Sequence, residues 1–495
     1  MKKEINIDPI TRLEGHGKIT IFLDEKGDVE NTYLQIPELR GFERFCIGRR
    51  AEDMPQLTSR ICGVCPVAHH MASTKALDSA FHTDPPPAAK KLRELLYCGY
   101  IIYDHILHFY FLGGPDLIVG PDSTPMDRNI LGVIEKTGLD IGREVIKHRS
   151  YGQKITSILG GKATHPVCGL PGGVSKGLND DELREIKEMV KSCVKFSKYT
   201  LDLFHDIIKN KDYKKLIESK AYHLNVYNMG LVDDKNRLNF YDGVIRIIDT
   251  KGEEHVKFKA DEYDRYIAEH VEEWSYMKYP YLRDIGWHGL KDGDGNGLYR
   301  VGPLGRLNVI DGITTRGAKK AYDEMIDYTG GKPINSTLMY HWARLIELLY
   351  ASERAEELTM DESITSSYIR NPVKEPGEGV GVVEAARGTL IHHYDIDRDG
   401  LIRKVNLIVA STHNAGAITL SISKAAKGLI SKGKVNNGIL NMIEMAFRAY
   451  DPCFACATHL LPGGLPFDIV IHDKKKQMYR IAYNDNKEGL IIRVS

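Results

Sequence analysis

Arg60-Ile61-Cys62-Gly63-Val64-Cys65-Pro66-Val67-Ala68-His69 and Asp451-Pro452-Cys453-Phe454-Ala455-Cys456-Ala457-Thr458-His459 carry the reading of this chain. Each stretch holds a CxxC pair, a proline beside it and a histidine shortly after. About 390 residues separate the pairs, whereas a zinc ribbon places its second pair about 15–20 residues after the first. That spacing argues against an autonomous zinc module and requires a fold that brings distant parts of one body together. In the first stretch Pro66 suits the opening turn of a helix, where its missing N–H costs nothing. Cys65 then lies at the helix N-terminus, where the dipole favours thiolate over thiol, and His69 follows one turn later on the same face. Four thiolates select zinc, an iron–sulfur cluster or nickel. A thioredoxin-type redox pair fits less well, because neither CxxC follows a strand in a βαβ unit.

Outward from these pairs, the remaining cysteines, Cys46, Cys98, Cys168 and Cys193, stand singly and read as small buried hydrophobes. Eight cysteines among 495 residues do not make a disulfide scaffold. Lys and Arg number 67, as do Asp and Glu, so net charge gives no reason to invoke nucleic acid or an acidic membrane surface. Met1 to Asp8 is an alternating, strand-like run without a signal-peptide core. No stretch reaches the roughly 18–20 apolar residues that span a bilayer. The nearest candidate, Leu95 to Leu112, contains Asp104, His105 and His108, and reads as a buried helix. The expectation is a soluble protein.

Alternation predicts strands at Lys18 to Leu23 and Asn31 to Ile36, joined by a turn around Asp24-Glu25-Lys26-Gly27. Amphipathic helices are expected at Lys90 to Leu112 and Asp180 to Ile208. Another is expected at Gly317 to Arg354, broken at Gly330-Gly331 and Pro333. Strands return at Leu238 to Val256 and Leu401 to Val409. The fold class is α+β and predominantly helical, a long central helix bundle with an N-terminal β-sheet region. Residues 1–459 form one body, β-rich over 1–60 and mainly helical with strand insertions over 61–459. No linker composition divides it. Residues 460–495 form a C-terminal extension, with strand-like pieces at Phe467 to His472, Met478 to Tyr483 and Leu490 to Val494.

The two cysteine motifs resemble the N- and C-terminal signatures of [NiFe]-hydrogenase large subunits. Arg12-Leu13-Glu14-Gly15-His16-Gly17, Arg40-Gly41-Phe42-Glu43 and Glu384-Ala385-Ala386-Arg387-Gly388-Thr389-Leu390-Ile391-His392-His393 extend the resemblance along nearly the whole chain. It implies the large-subunit fold and reversible heterolytic cleavage of dihydrogen. Cys62, Cys65, Cys453 and Cys456 would bind nickel, and Cys65 and Cys456 would also bridge to an iron carrying carbon monoxide and cyanide. Glu14 takes the place of the proton-transfer glutamate, a carboxylate poised by burial. Arg387 matches an arginine beside the open coordination site, whose directional donors a lysine would not reproduce. Asp116 and Asp451 would hold it, and Ser411 would donate to a cyanide. Glu43, His459 and the carbonyl of Leu407 match ligands of a magnesium-like site. His165 resembles a residue facing the electron-transfer partner. His69, His70, His392 and His393 read as satisfied core groups or as groups behind the ligands, rather than as metal ligands.

One departure stands out. Many relatives have proline where this chain has Ala386, which alters backbone rigidity next to Arg387. The resemblance further implies an iron–sulfur small subunit, because this chain has no cysteines for clusters of its own. Further electron-transfer subunits of heterodisulfide reductase, F420 or NAD type are implied, the first without F420 chemistry being favoured. So are nickel-insertion chaperones and an endopeptidase that cuts after His459 and removes 460–495. The wording of the motifs is most similar to that of cytoplasmic, multi-subunit members.

Overall fold

The computed structural model describes residues 3–459 and, beyond them, the backbone of the strands Phe467–His472, Met478–Tyr483 and Ile491–Val494. The N-terminal strands Lys3–Ile7, Lys18–Leu23 and Val29–Gln35 pair antiparallel in chain order. Their inward residues Ile19, Ile21, Leu23 and Leu34 are fully buried. Helix begins as early as Phe42–Cys46, so the β-rich part ends before residue 60.

The first cysteine motif runs into the helix Pro66–Ala80, with Cys65 as N-cap and Pro66 in the opening turn. The long helices of the body are Pro87–Leu107, Leu139–Gly160, Asp180–Ile208 and Tyr340–Met360. Asp180–Ile208 starts at an Asn179/Glu182 capping box. Its buried positions from Leu183 to Ile208 recur at helical spacing, which is why it packs along one stripe. Pro87–Leu107 is buried on every side from Leu95 to Ile106, as a central helix must be. It continues into a π-helical turn, His108–Gly113, an irregularity that often accompanies functional sites. The expected break near Gly330 and Pro333 is present: Arg316–Thr329 ends at Gly330, and α-helix resumes only at Tyr340, after a 3-10 turn at Thr337–Met339.

Glu378–Ala385, Gly388–Ile396 and Ile402–Ile408 form a second antiparallel sheet, against which Pro66–Ala80 lies. A Cβ on Gly381 would stand 2.1 Å from Ala72 O, so only glycine permits that approach. The strand Tyr227–Val232 is buried at every position and has no alternation to betray it. It pairs parallel with Tyr299–Arg300 and antiparallel with Val244–Ile248. In the extension, the three strands form an antiparallel sheet. Among the described residues, no helix is long and apolar enough to cross a membrane.

Candidate metal centre

The two ends of the described body meet. Phe454 N–H donates to Glu14 O (2.9 Å), and Glu14 pairs with Cys453 as an isolated parallel bridge. Gly15, at φ 86°, lets the chain pass so close that a Cβ there would lie 2.6 Å from Ala455 N. Arg40 N–H donates to Thr458 O (3.1 Å), and its guanidinium reaches Ala455 O (3.1 Å) and Ile61 O. Arg40 thus ties the first cysteine loop to the second.

These contacts bring Cys62, Cys65, Cys453 and Cys456 together, with all four sulfurs within 4.8 Å of one another. Cys62 Sγ is 3.5 Å from Cys453 Sγ, and Cys65 Sγ is 3.6 Å from Cys456 Sγ. All four are buried and none is in a disulfide. The N–H groups of Val64 and Cys65 donate to Cys62 Sγ (3.2 and 3.3 Å). Without metal, hydrogen bonds from Cys453, Cys456 and Cys65 hold Cys62 well below the usual thiol range. Burial pushes Cys453 and Cys456 up. Cys65 ends raised as well: its bonds with Cys453 and Cys456 are outweighed by its bond with Cys62 and by burial. The helix dipole does not decide its state, because four crowded thiols compete for negative charge. Only a cation lets all of them ionise. Four convergent thiol donors fit a soft or borderline metal such as nickel.

Glu14 Oε2 lies 2.8 Å from Cys453 Sγ and accepts from Ala455 N–H (3.3 Å). Burial and the nearby Cys62 charge raise its pKa, so its protonated form is within reach. Ser411 Oγ accepts from Cys453 N–H (2.8 Å), which leaves its own proton free for another partner.

Arg387 occupies the turn between Glu378–Ala385 and Gly388–Ile396 and is buried. Its guanidinium meets Asp104 in a two-toothed pair (3.1 and 3.2 Å) and Asp451 at 3.0 Å. Burial, with Asp104 adding to it, pushes the Asp451 carboxyl up to about 7 against the pull of Arg387. Arg387 Nε has no protein partner.

Asp116 is not beside Arg387, and that expectation is corrected. Asp116 follows the π-helical turn and faces Arg12, Arg448 (2.9 Å) and Asn441 (3.0 Å) instead. Asp104, in the last turn of Pro87–Leu107, does the holding. Its signal was visible: an acid inside an apolar helix needs a buried cation.

Glu43 is buried and accepts from Leu407 N–H (2.7 Å), which sets carboxylate and peptide side by side. Burial pushes this carboxyl up to about 7. His459 is buried, and neither ring nitrogen has a protein partner. Burial brings its pKa down to about 3, leaving a neutral imidazole able to ligate. A buried carboxylate and an orphaned imidazole are donors of the kind a hard cation completed by water takes. His165 is half-buried, bonds Ser59 O (2.9 Å), and lies in the chain neighbourhood of exposed Arg60 and Gly63. His70 is satisfied by Pro55 O (3.0 Å) and Gly169 N–H (2.8 Å). His69 Nδ1 meets His392 Nε2 (3.1 Å), His392 also meets the Tyr394 hydroxyl (2.6 Å), and His393 meets the Tyr263 hydroxyl (2.9 Å).

Compared with known proteins, residues 40–122 and 144–459 match the nickel-dependent hydrogenase family, and residues 4–39 match a HoxL-like pattern. An F420-non-reducing hydrogenase iron-sulfur subunit of Archaeoglobus profundus is 46% identical over 485 residues, 97% of this chain and 100% of that protein. The NAD-reducing hydrogenase HoxS subunit beta of Cupriavidus necator is 36% identical, covering 96% of this chain and 98% of its own length. Among solved structures, an NAD+-reducing [NiFe]-hydrogenase in the H2-reduced state superposes with a TM-score of 0.87. It is 36% identical and covers 92% of this chain and 99% of that one.

Proposed function

Because this chain belongs to the nickel-dependent hydrogenase family and is the catalytic large subunit of a [NiFe] hydrogenase, we propose how its residues share the work. One observation carries the assignment: four buried thiols converge within 4.8 Å, and the Glu14 carboxylate reaches one of them. Cys62, Cys65, Cys453 and Cys456 would hold the nickel, and Cys65 and Cys456 would also hold the iron. When bound, the nickel–iron pair supplies the electrophilic centre at which dihydrogen is polarised and its bond split heterolytically. Ser411, whose hydroxyl proton is free, would donate to a cyanide on an iron that also carries carbon monoxide.

Glu14 Oε2 takes the proton at the Cys453 side and carries it away, a role suited to a carboxyl raised by burial. Arg387 overhangs the site. Asp104 and Asp451 fix its guanidinium, and Nε, left without a protein partner, is the donor it would offer the reacting region without reorganising. Burial of all four cysteines excludes bulk water. Glu43, His459 and the Leu407 carbonyl would hold a magnesium-like ion at the end of the second motif. The family match stops at residue 459, which supports His459 as the mature C-terminus once an endopeptidase removes 460–495.

Similar proteins are subunits of multi-subunit hydrogenases, and this chain likewise works with an iron–sulfur small subunit and further electron-transfer subunits. The small subunit seats near Gly63 and His165, where the first cysteine loop reaches the surface. The relatives named F420-non-reducing support acceptor chemistry without F420, and we infer a heterodisulfide reductase-linked complex in the cytoplasm. The test is elemental analysis with infrared spectroscopy on the complex purified anaerobically from its host. About one nickel per chain is expected for a single four-thiolate site, with carbonyl and cyanide bands. Zinc without those bands in a matured sample would overturn the assignment.

A further inference from the structure

The helix Pro87–Leu107 grips both halves of the centre. Tyr97, Tyr100 and Asp104 stand at i, i+3 and i+7, and so share a face. The Tyr97 hydroxyl donates to Glu384 O (2.9 Å), the Tyr100 oxygen accepts from Ala386 N–H (3.1 Å), and Asp104 takes the Arg387 guanidinium. Beside them the Tyr103 hydroxyl donates to Val64 O (3.3 Å), between the first two cysteines. The three rings pack edge to face, with centroids 5.3 and 5.6 Å apart, and are buried. From the other side, Arg306 donates to Ala385 O (2.8 Å).

We propose that Tyr100 is a positioning residue for dihydrogen turnover: its hydroxyl, by accepting the Ala386 N–H, sets the place of Arg387 relative to the four-cysteine cluster. The proposal rests on the role given to Arg387 above. A buried amide N–H must have an acceptor, and its loss would drive the Ala386–Arg387 turn to rearrange. Tyr100 cannot yield to such a shift, because its ring is wedged between Tyr97 and Tyr103, each anchored to a different part of the site. The helix thereby works as a ruler between the first cysteine loop and the Arg387 turn.

The amide of residue 386 also provides the test. Ala386 lies between the paired residues Ala385 and Gly388 and has no positive φ, so proline suits the backbone there. Tyr100→Phe leaves the Ala386 N–H without an acceptor. Ala386→Pro alone sets a proline ring against the Tyr100 oxygen, and the double variant removes donor and acceptor together. All are made in the intact complex and matured in the host.

We expect parental nickel content throughout and, in each single variant, a roughly ten- to hundred-fold loss of turnover, the scale of a small misplacement. The infrared bands of the iron ligands shift in the singles, and both turnover and bands return toward the parent in the double. Parental turnover and bands in Tyr100→Phe would overturn the proposal. So would a double variant no better than Tyr100→Phe, or activity falling only in step with nickel. If the parent complex itself lacks the bands, the diatomic ligands are refuted, while the turnover comparison still decides the role of Tyr100.

Discussion

Glu14 Oε2 stands 2.8 Å from Cys453 Sγ although 439 positions separate the two residues. The backbone bond from Phe454 N–H to Glu14 O places the carboxylate, so its position does not depend on side-chain charge. Glu14→Gln should therefore keep nickel, because glutamine can still accept from Ala455 N–H. It cannot take up a proton, and turnover and H/D exchange should fall by about 10²–10⁴-fold, the usual worth of a general base. Parental exchange rates in this variant would remove Glu14 from the mechanism.

Asp104 and Asp116 should separate cleanly. Asp104→Asn loosens the two-toothed hold on Arg387 and should lower turnover per nickel. Asp116→Asn disturbs the Arg12/Arg448 cluster and should cost about 3–5 kcal/mol, as breaking a buried ion pair does. It should lower the unfolding temperature and leave turnover per nickel near parental. The opposite pattern would restore Asp116 to the site.

Glu43→Gln should lower magnesium content while nickel stays near parental. Glutamine keeps the bond from Leu407 N–H yet loses the charge a hard cation needs. Elemental analysis of the purified complex reads both metals. Unchanged magnesium would place the ion elsewhere.

His70 should contribute to acid lability. It is buried, bonded as the neutral ring, and burial brings its pKa down to about 4. Below the usual value near 6.5 the unfolded chain binds a proton that the folded one refuses, so stability falls as pH drops from about 6.5 to about 4. The full loss for this one group is about 3 kcal/mol. Chemical denaturation across that range should show a shallower slope in His70→Gln than in the parent.

Helix Asp180–Ile208, strand Lys18–Leu23 and the four cysteines are where the patterns put them, because each is announced locally by a cap, an alternation or a spacing. The strand Tyr227–Val232 and its parallel partner escaped, since a strand buried on both faces has no period to detect. The holder of Arg387 was misplaced for a different reason. Twelve residues and a π-helical turn separate Asp104 from Asp116, and which acid turns inward depends on a helical phase that only packing sets. Tyr97, Tyr100 and Tyr103 carry no local mark that tells which carbonyl or amide each hydroxyl meets, because those partners lie on distant segments.

The meeting of Glu14 with Cys453 also imposes an order on biogenesis. A chain emerging from the ribosome presents Cys62 and Cys65 early, yet can offer no closed pocket until residue 456 has been translated and has swung back against the Arg12–Gly17 loop. A stalled or truncated product therefore carries only half a binding site, which cannot hold the metal pair.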